Sequence, residues 1–110
     1  RLDVCINGIE MVNLVCNSWA IGINYKLIFT DFSMPSMDGI EAVDLIRQFF
    51  RESNVPLESQ PHIIGVTGHV HNDYTKLGLQ AGMNEIESKP LCYPQMAKII
   101  ERFYLTVIIF

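Results

Sequence analysis

The chain has 110 residues, 49% hydrophobic and 18% charged, enough for one domain with one core and too little for two. Eight Lys and Arg against twelve Asp and Glu leave a net charge of −4, so no basic stripe follows a phosphate backbone and direct nucleic-acid binding is not expected. The longest uncharged apolar stretch, Phe103 to Phe110, falls far short of the roughly 20 residues that span a bilayer, and Arg1-Leu2-Asp3 opens no signal peptide. These features point to a cytoplasmic α/β domain that makes no membrane contact of its own.

Leu2 to Ile6 is short, apolar and partly β-branched, and Asn7-Gly8 follows as a turn signal, so a strand is expected there. Met11, Leu14, Val15 and Trp19 recur at helical spacing, which predicts a helix over 9–20 closed near Gly22. Tyr25 to Thr30 carries Leu27-Ile28-Phe29 without alternation, the pattern of a strand covered on both faces. A loop rich in turn formers, Asp31 to Gly39, leads into a second helix over 40–50, with Ile40, Val43, Ile46 or Leu45, and Phe50 inward. The stretch Arg51 to Pro61 is polar, contains two prolines and reads as a surface loop.

His62 to Thr67 reads as a further buried strand. Asn72 and Asp73 can cap a short helix over 74–81, which Gly82 stops. Asn84 to Ser88 follows as the last strand, and Pro94 opens a helix reaching about Tyr104. The order β-α-β-α-β-α-β-α predicts a parallel sheet with helices on both faces. Cys5, Cys16 and Cys92 fall within these packed runs and read as buried, reduced thiols. His62, His69 and His71 have no Cys or carboxylate at ligand spacing and read as surface or packing residues.

Ligands in such sheets bind at the carboxyl ends of the strands. Three candidates sit there: Asp31 after Leu27-Ile28-Phe29, Thr67 after Ile63 to Val66, and Lys89 after Glu85 to Ser88. A carboxylate, a hydroxyl and an ammonium converging on one edge suit the uptake of a phosphoryl group. The carboxylate attacks, the ammonium neutralises equatorial oxygens and the hydroxyl donates a hydrogen bond. A hard divalent cation, usually Mg²⁺, is expected alongside an anionic nucleophile. Asp38 is the competing acceptor, but its place before Gly39 and a helix marks it as a turn and N-cap residue.

The stretch Asp31-Phe32-Ser33-Met34-Pro35-Ser36-Met37-Asp38-Gly39 resembles the D-x-x-M-P-x-M-D-G signature of response-regulator receiver domains. Thr67-Gly68, Ala81-Gly82-Met83 and Lys89-Pro90 resemble further marks of that family in matching order, from Leu2 to about Tyr104, and the wording is similar to receivers of hybrid histidine kinases. The resemblance implies a flavodoxin-like (CheY-like) three-layer α/β sandwich, with Asp31 accepting phosphate from a histidine kinase or a histidine-phosphotransfer domain. It implies that Lys89 contacts the aspartyl phosphate, that Thr67 reports it, and that the Gly68 N–H holds phosphoryl oxygens. Asp31 and the Ser33 carbonyl are the implied Mg²⁺ ligands, and the Lys89-Pro90 bond is implied to be cis. Met34, Pro35 and Met37 are expected to fix the loop that presents Asp31.

Two departures qualify the resemblance. The opening strand ending in two acidic residues has no counterpart, because Leu2 to Ile6 matches the family's second strand; the receiver unit, residues 1–104, is expected to lack one βα unit of roughly 25–30 residues at its N-terminus. Mg²⁺ binding is then weak or absent, since the acidic pair holds the cation. The apolar tail 105–110 is expected either to run as a strand into the vacant slot or to prolong the last helix. Position 86 is the second departure: it is isoleucine where the family commonly has an aromatic, which puts the usual threonine–aromatic rearrangement in doubt. A degenerate receiver acting as a phosphorylation-independent interaction module is the alternative. A haloacid-dehalogenase-like hydrolase fits poorly, because Ser33 stands where its general acid belongs, and no phosphate loop supports a flavin binder.

Overall fold

Asn7 begins the first helix. Its side-chain Oδ1 accepts the Glu10 N–H at 2.7 Å, so the residue expected to form a turn is an N-cap instead, and α1 spans Gly8–Ala20. The computed structural model describes residues 3, 5–33, 36–68 and 72–109. Asp3, Cys5 and Ile6 carry no strand in the structure, while Leu2 and Val4 of the expected first strand lie outside the described residues. Asp3 is held by the Tyr25 hydroxyl.

The remaining elements follow the expected order. β1 (Leu27–Asp31), α2 (Gly39–Glu52), β2 (His62–Thr67), α3 (Asn72–Ala81), β3 (Glu85–Ser88) and α4 (Tyr93–Ile109) alternate, and a single 3₁₀ turn, Leu57–Ser59, interrupts the polar loop. Among the described residues the strands form one parallel sheet in the order β1-β2-β3, with Phe29 opposite Ile64 and Gly65 opposite Ile86. Strand side chains alternate between faces. Ile28 and Ile63 join Met11 and Val15 of α1 and Val43, Ile46 and Phe50 of α2 in the core, with Met83 beside them. Full burial of Phe50, Ile46 and Ile63 contributes about 1.5–3 kcal/mol for each. Leu45, one of two alternatives for an inward position, is exposed, and the helical register puts Ile46 inside in its place.

The opposite face meets α4. Arg102 of that helix donates to both carboxylate oxygens of Glu85 at 3.2 and 3.0 Å, and Ile99 is buried. The Gln95 Oε1 accepts the Cys92 N–H at 3.1 Å and so closes the start of α4 as a capping box does. The strand expected over 105–110 is not formed: α4 continues through Ile109, the boundary expected at residue 104 falls inside it, and Phe110 lies outside the described residues. Nothing after Pro94 stops a helix, since no glycine or proline follows, and β-branched residues favour strands only weakly once a helix is already propagating. The thiols also depart from expectation. Cys5 and Cys16 are half-buried, and Cys92, at the entry to α4, is exposed.

Candidate functional site

Asp31 is the last residue of β1, and its surroundings are built by close backbone packing. The Phe32 N–H donates to the Val66 carbonyl at 3.1 Å, and the Gly39 N–H donates to the Phe32 carbonyl at 2.9 Å. These bonds bring the first turn of α2 against the end of β1. A Cβ at residue 39 would stand 2.0 Å from the Asp31 carbonyl oxygen, so only glycine admits this approach. Asp38 caps α2, its Oδ1 accepting the Glu41 N–H at 2.8 Å, as its position before a helix predicted.

Phe32 has a role that the motif alone does not suggest. Its ring is buried against Gly65 of β2, Gly78 of α3 and Met83, where any Cβ on either glycine would collide with it. The residue after the carboxylate is thereby anchored in the core, which turns Asp31 outward. An aromatic directly after a strand-ending acid, with glycines opposite it, was the available signal. Met34 and Pro35 lie outside the described residues.

Lys89 reaches the same point from β3. Its backbone N–H donates to the Thr67 carbonyl at 2.8 Å, and its ammonium Nζ lies 2.5 Å from the Asp31 Oδ2. The Asp31 and Lys89 side chains are 37% and 43% exposed, so the pair faces solvent and is open to an incoming group. Asp31 Oδ1 accepts the Ser33 N–H at 3.1 Å. Thr67 is buried at the end of β2, paired with Ser88 in the ladder. Nothing among the described residues lies within 4 Å of a Cβ placed on Gly68. The Lys89-Pro90 bond is cis. Ile86 points inward, its Cδ1 3.0 Å from a Cβ placed on Gly78.

The structure thus brings Asp31 and Lys89 into contact and sets Thr67 and Gly68 on the adjoining strand end. The described residues do not assemble a cation site there. Both Asp31 oxygens already have partners, and no group of three His, Cys, Asp or Glu side chains among the described residues could hold a metal ion. One carboxylate and the Ser33 carbonyl are too few oxygens for Mg²⁺, which demands near-octahedral order. The residues described do not fit that cation.

Two charged clusters lie away from this edge. Arg47 of α2 is buried and donates to the Gly82 carbonyl (3.0 Å), Gln60 Oε1 (2.9 Å) and Asn84 Oδ1 (2.9 Å), and burial lowers its pKa. Gly82 has φ +119°, and a Cβ there would stand 2.5 Å from the Arg47 Cγ. Asn84 joins β3 to β2, its Oδ1 accepting the Ile63 N–H and its own N–H donating to the Ile63 carbonyl, each at 2.7 Å. The second cluster joins His62 Nε2 to Glu85 Oε2 at 2.5 Å, beside Arg102. Neither His69 nor His71 lies within the described residues.

Comparison with known proteins agrees with this geometry. Residues 1–101 match the response regulator receiver domain family. The chain is 34% identical over 105 residues to two-component response regulator 24 of Arabidopsis thaliana, covering 94% of this chain and 67% of that protein. It is also 34% identical to hybrid signal transduction histidine kinase C of Dictyostelium discoideum over 86% of this chain, although that stretch is only 8% of the kinase. The receiver domain of the Arabidopsis thaliana histidine kinase CKI1, crystallised with Mg²⁺, superposes with a TM-score of 0.68 at 29% identity, covering 88% of this chain and 69% of that one. The same score and identity relate it to the complex of the Saccharomyces cerevisiae histidine phosphotransfer protein Ypd1 with the receiver domain of Ssk1, over 86% of this chain and 64% of that one. With a parallel sheet between helices and Asp31 and Lys89 meeting at its strand ends, the chain belongs to the response regulator receiver domain family.

Proposed function

We propose that this chain is a phosphorelay receiver whose acceptor is Asp31. An Asp31 carboxylate oxygen attacks the phosphorus of a phosphohistidine. The new O–P bond forms as the P–N bond breaks, and the imidazole nitrogen leaves with the electron pair. The Lys89 ammonium neutralises charge on the phosphoryl oxygens, while the Gly68 N–H and the Thr67 hydroxyl donate to them. The product adds about −1.5 to −2 charge at the strand ends, and Lys89 transfers its contact from carboxylate to phosphate. The donor is a histidine kinase or a histidine-phosphotransfer domain, the chain acts as a phosphoacceptor and not as a stand-alone enzyme, and it works in the cytoplasm as part of a two-component pathway. The stretch matched is only 8% of the hybrid kinase above.

The observation that carries this reading is the contact between Asp31 and Lys89, 58 positions apart in the chain and 2.5 Å apart in space. The test offers a phosphorylated histidine-phosphotransfer domain, or acetyl phosphate, to the wild type and to Asp31→Asn and Asp38→Asn variants. Labelling of the wild type and the Asp38 variant, and none of the Asp31 variant, is expected. Equal labelling of all three moves the acceptor elsewhere. A second reading, a receiver that binds partners without being phosphorylated, draws on the full engagement of both Asp31 oxygens and the shortage of cation ligands among the described residues. A folded wild type that takes no label from either donor favours it.

A further inference from the structure

We infer that the cleft between the C-terminal ends of α2 and α3 is a docking site for a peptide segment of a partner protein, one that carries carboxylates beside apolar side chains. The cleft lies at the amino ends of the strands, opposite the end that carries Asp31, and nothing in it depends on phosphoryl transfer. Its volume is about 480 Å³, and its lining includes Arg47 and Arg51 of α2, Val55 and Leu57 of the polar loop, and Leu79 and Met83. A spacing of four residues sets both arginines on one face of α2. No Asp, Glu or Lys is among the described lining residues, although the chain as a whole carries a net charge of −4. The formal charge on this wall is therefore positive. Arg47 donates one N–H from each guanidinium nitrogen, to Gly82, Gln60 and Asn84, which holds it in place. A guanidinium has five such donors, so one on each terminal nitrogen has no partner among the described residues. Arg51 is exposed and has no partner among them either. Planar guanidiniums take carboxylates in bidentate pairs. Leu57 and Leu79, 62% and 48% exposed, add apolar surface at the rim, and arginine beside apolar anchors is the make-up of an interface centre. A small organic acid would stay largely wet in so open a cleft, whereas ligand pockets bury about 70–90% of a drug-sized molecule. A peptide segment covers the arginines and the rim leucines together.

The probe is the peptide acetyl-Leu-Asp-Glu-Leu-amide, titrated into the 110-residue chain and followed by amide chemical shifts, with acetyl-Leu-Asn-Gln-Leu-amide as its uncharged counterpart. Shifts are expected to gather on Arg47, Arg51, Leu57 and Leu79, and the uncharged peptide to bind about tenfold more weakly. Arg51→Glu is expected to lose about tenfold in affinity for the acidic peptide, Arg51→Lys to fall between it and the wild type, and Leu79→Asn to weaken both peptides. Circular dichroism confirms that each variant is folded, and Arg51→Gln tests the same point if Arg51→Glu folds poorly. Arg47 is left intact throughout, because its bonds also join segments of the fold. Absence of binding overturns the inference, as do equal binding of the two peptides, an Arg51→Glu variant that binds like the wild type, and shifts confined to another face. Hexanoate bound as tightly as the peptide would give the cleft to a small acid, and concentration-dependent shifts at these residues without peptide would give it to a second copy of the chain. Either result overturns a peptide partner. No phosphoryl donor is present, so failure of Asp31 to accept phosphate would leave this result intact.

Discussion

Two cations of this molecule differ in kind, and the difference is one of solvent access. Lys89 pairs with Asp31 in contact with water, where exposed ion pairs contribute about 0–1 kcal/mol. Lys89→Met is therefore expected to lower stability by no more than about 1 kcal/mol in urea unfolding. Arg47 is buried and satisfies three separate acceptors, so truncation removes three hydrogen bonds made by a charged group at once. Arg47→Met is expected to cost about 1–3 kcal/mol, read as a lowered urea midpoint with an unchanged slope. Gly39 belongs to the same scale. Gly39→Ala drives a methyl group into the Asp31 carbonyl, and a loss of about 1–3 kcal/mol with weaker phosphoryl labelling is the expected outcome.

At the scale of elements, the attachment of α4 is set by one carboxylate shared between strand and helix. Burial pushes the Glu85 carboxyl upward, but hydrogen bonds from His62 and Arg102 outweigh it, and the net shift is downward. A carboxyl whose folded pKa lies below its unfolded value stabilises the fold above the unfolded pKa, about 4.3 for Glu. That contribution is lost as pH falls through the lower folded value. Stability should therefore drop between about pH 5 and 3 more steeply in the wild type than in Glu85→Gln. Urea midpoints across that range, together with hydrogen exchange of the α4 amides, are the measurements. Parallel loss in both proteins would remove Glu85 from the account. Half-buried Leu27, Phe29 and Asp31 alternate with buried Ile28 and Thr30 along β1, so the strand packs along its length and presents a carboxylate to solvent at its end.

For the molecule as a whole, the cysteines report on the integrity of the core. Cys92 is exposed, whereas burial raises the thiol pKa of Cys5 and Cys16, the former further raised by Glu10 and Asp3. Thiolate is the reactive form, so one thiol should react quickly with an aromatic disulfide at neutral pH and two slowly, all three becoming fast in denaturant. Three fast thiols in the native chain would mean that α1 does not stay packed against α2. No described helix is long and apolar enough to cross a membrane.

The sequence by itself determined the alternation of elements from α1 onward, because uninterrupted apolar runs and helical spacing act over short distances. It determined Asp31, Thr67 and Lys89 as strand-end residues for the same reason, and Asp38 as a cap. Tertiary structure decided what no local pattern encodes. Arg47 sits inside only because Gln60, before β2, and Gly82 and Asn84, between α3 and β3, meet it there. Phe32 fixes Asp31 because glycines on β2 and α3 leave it room. Residues 105–109 stay helical although their composition favours a strand, since Ile99 and Arg102 already hold the preceding turns against the sheet. A local propensity worth a few tenths of a kcal/mol per residue yields to long-range packing, and only the folded chain brings those distant partners together.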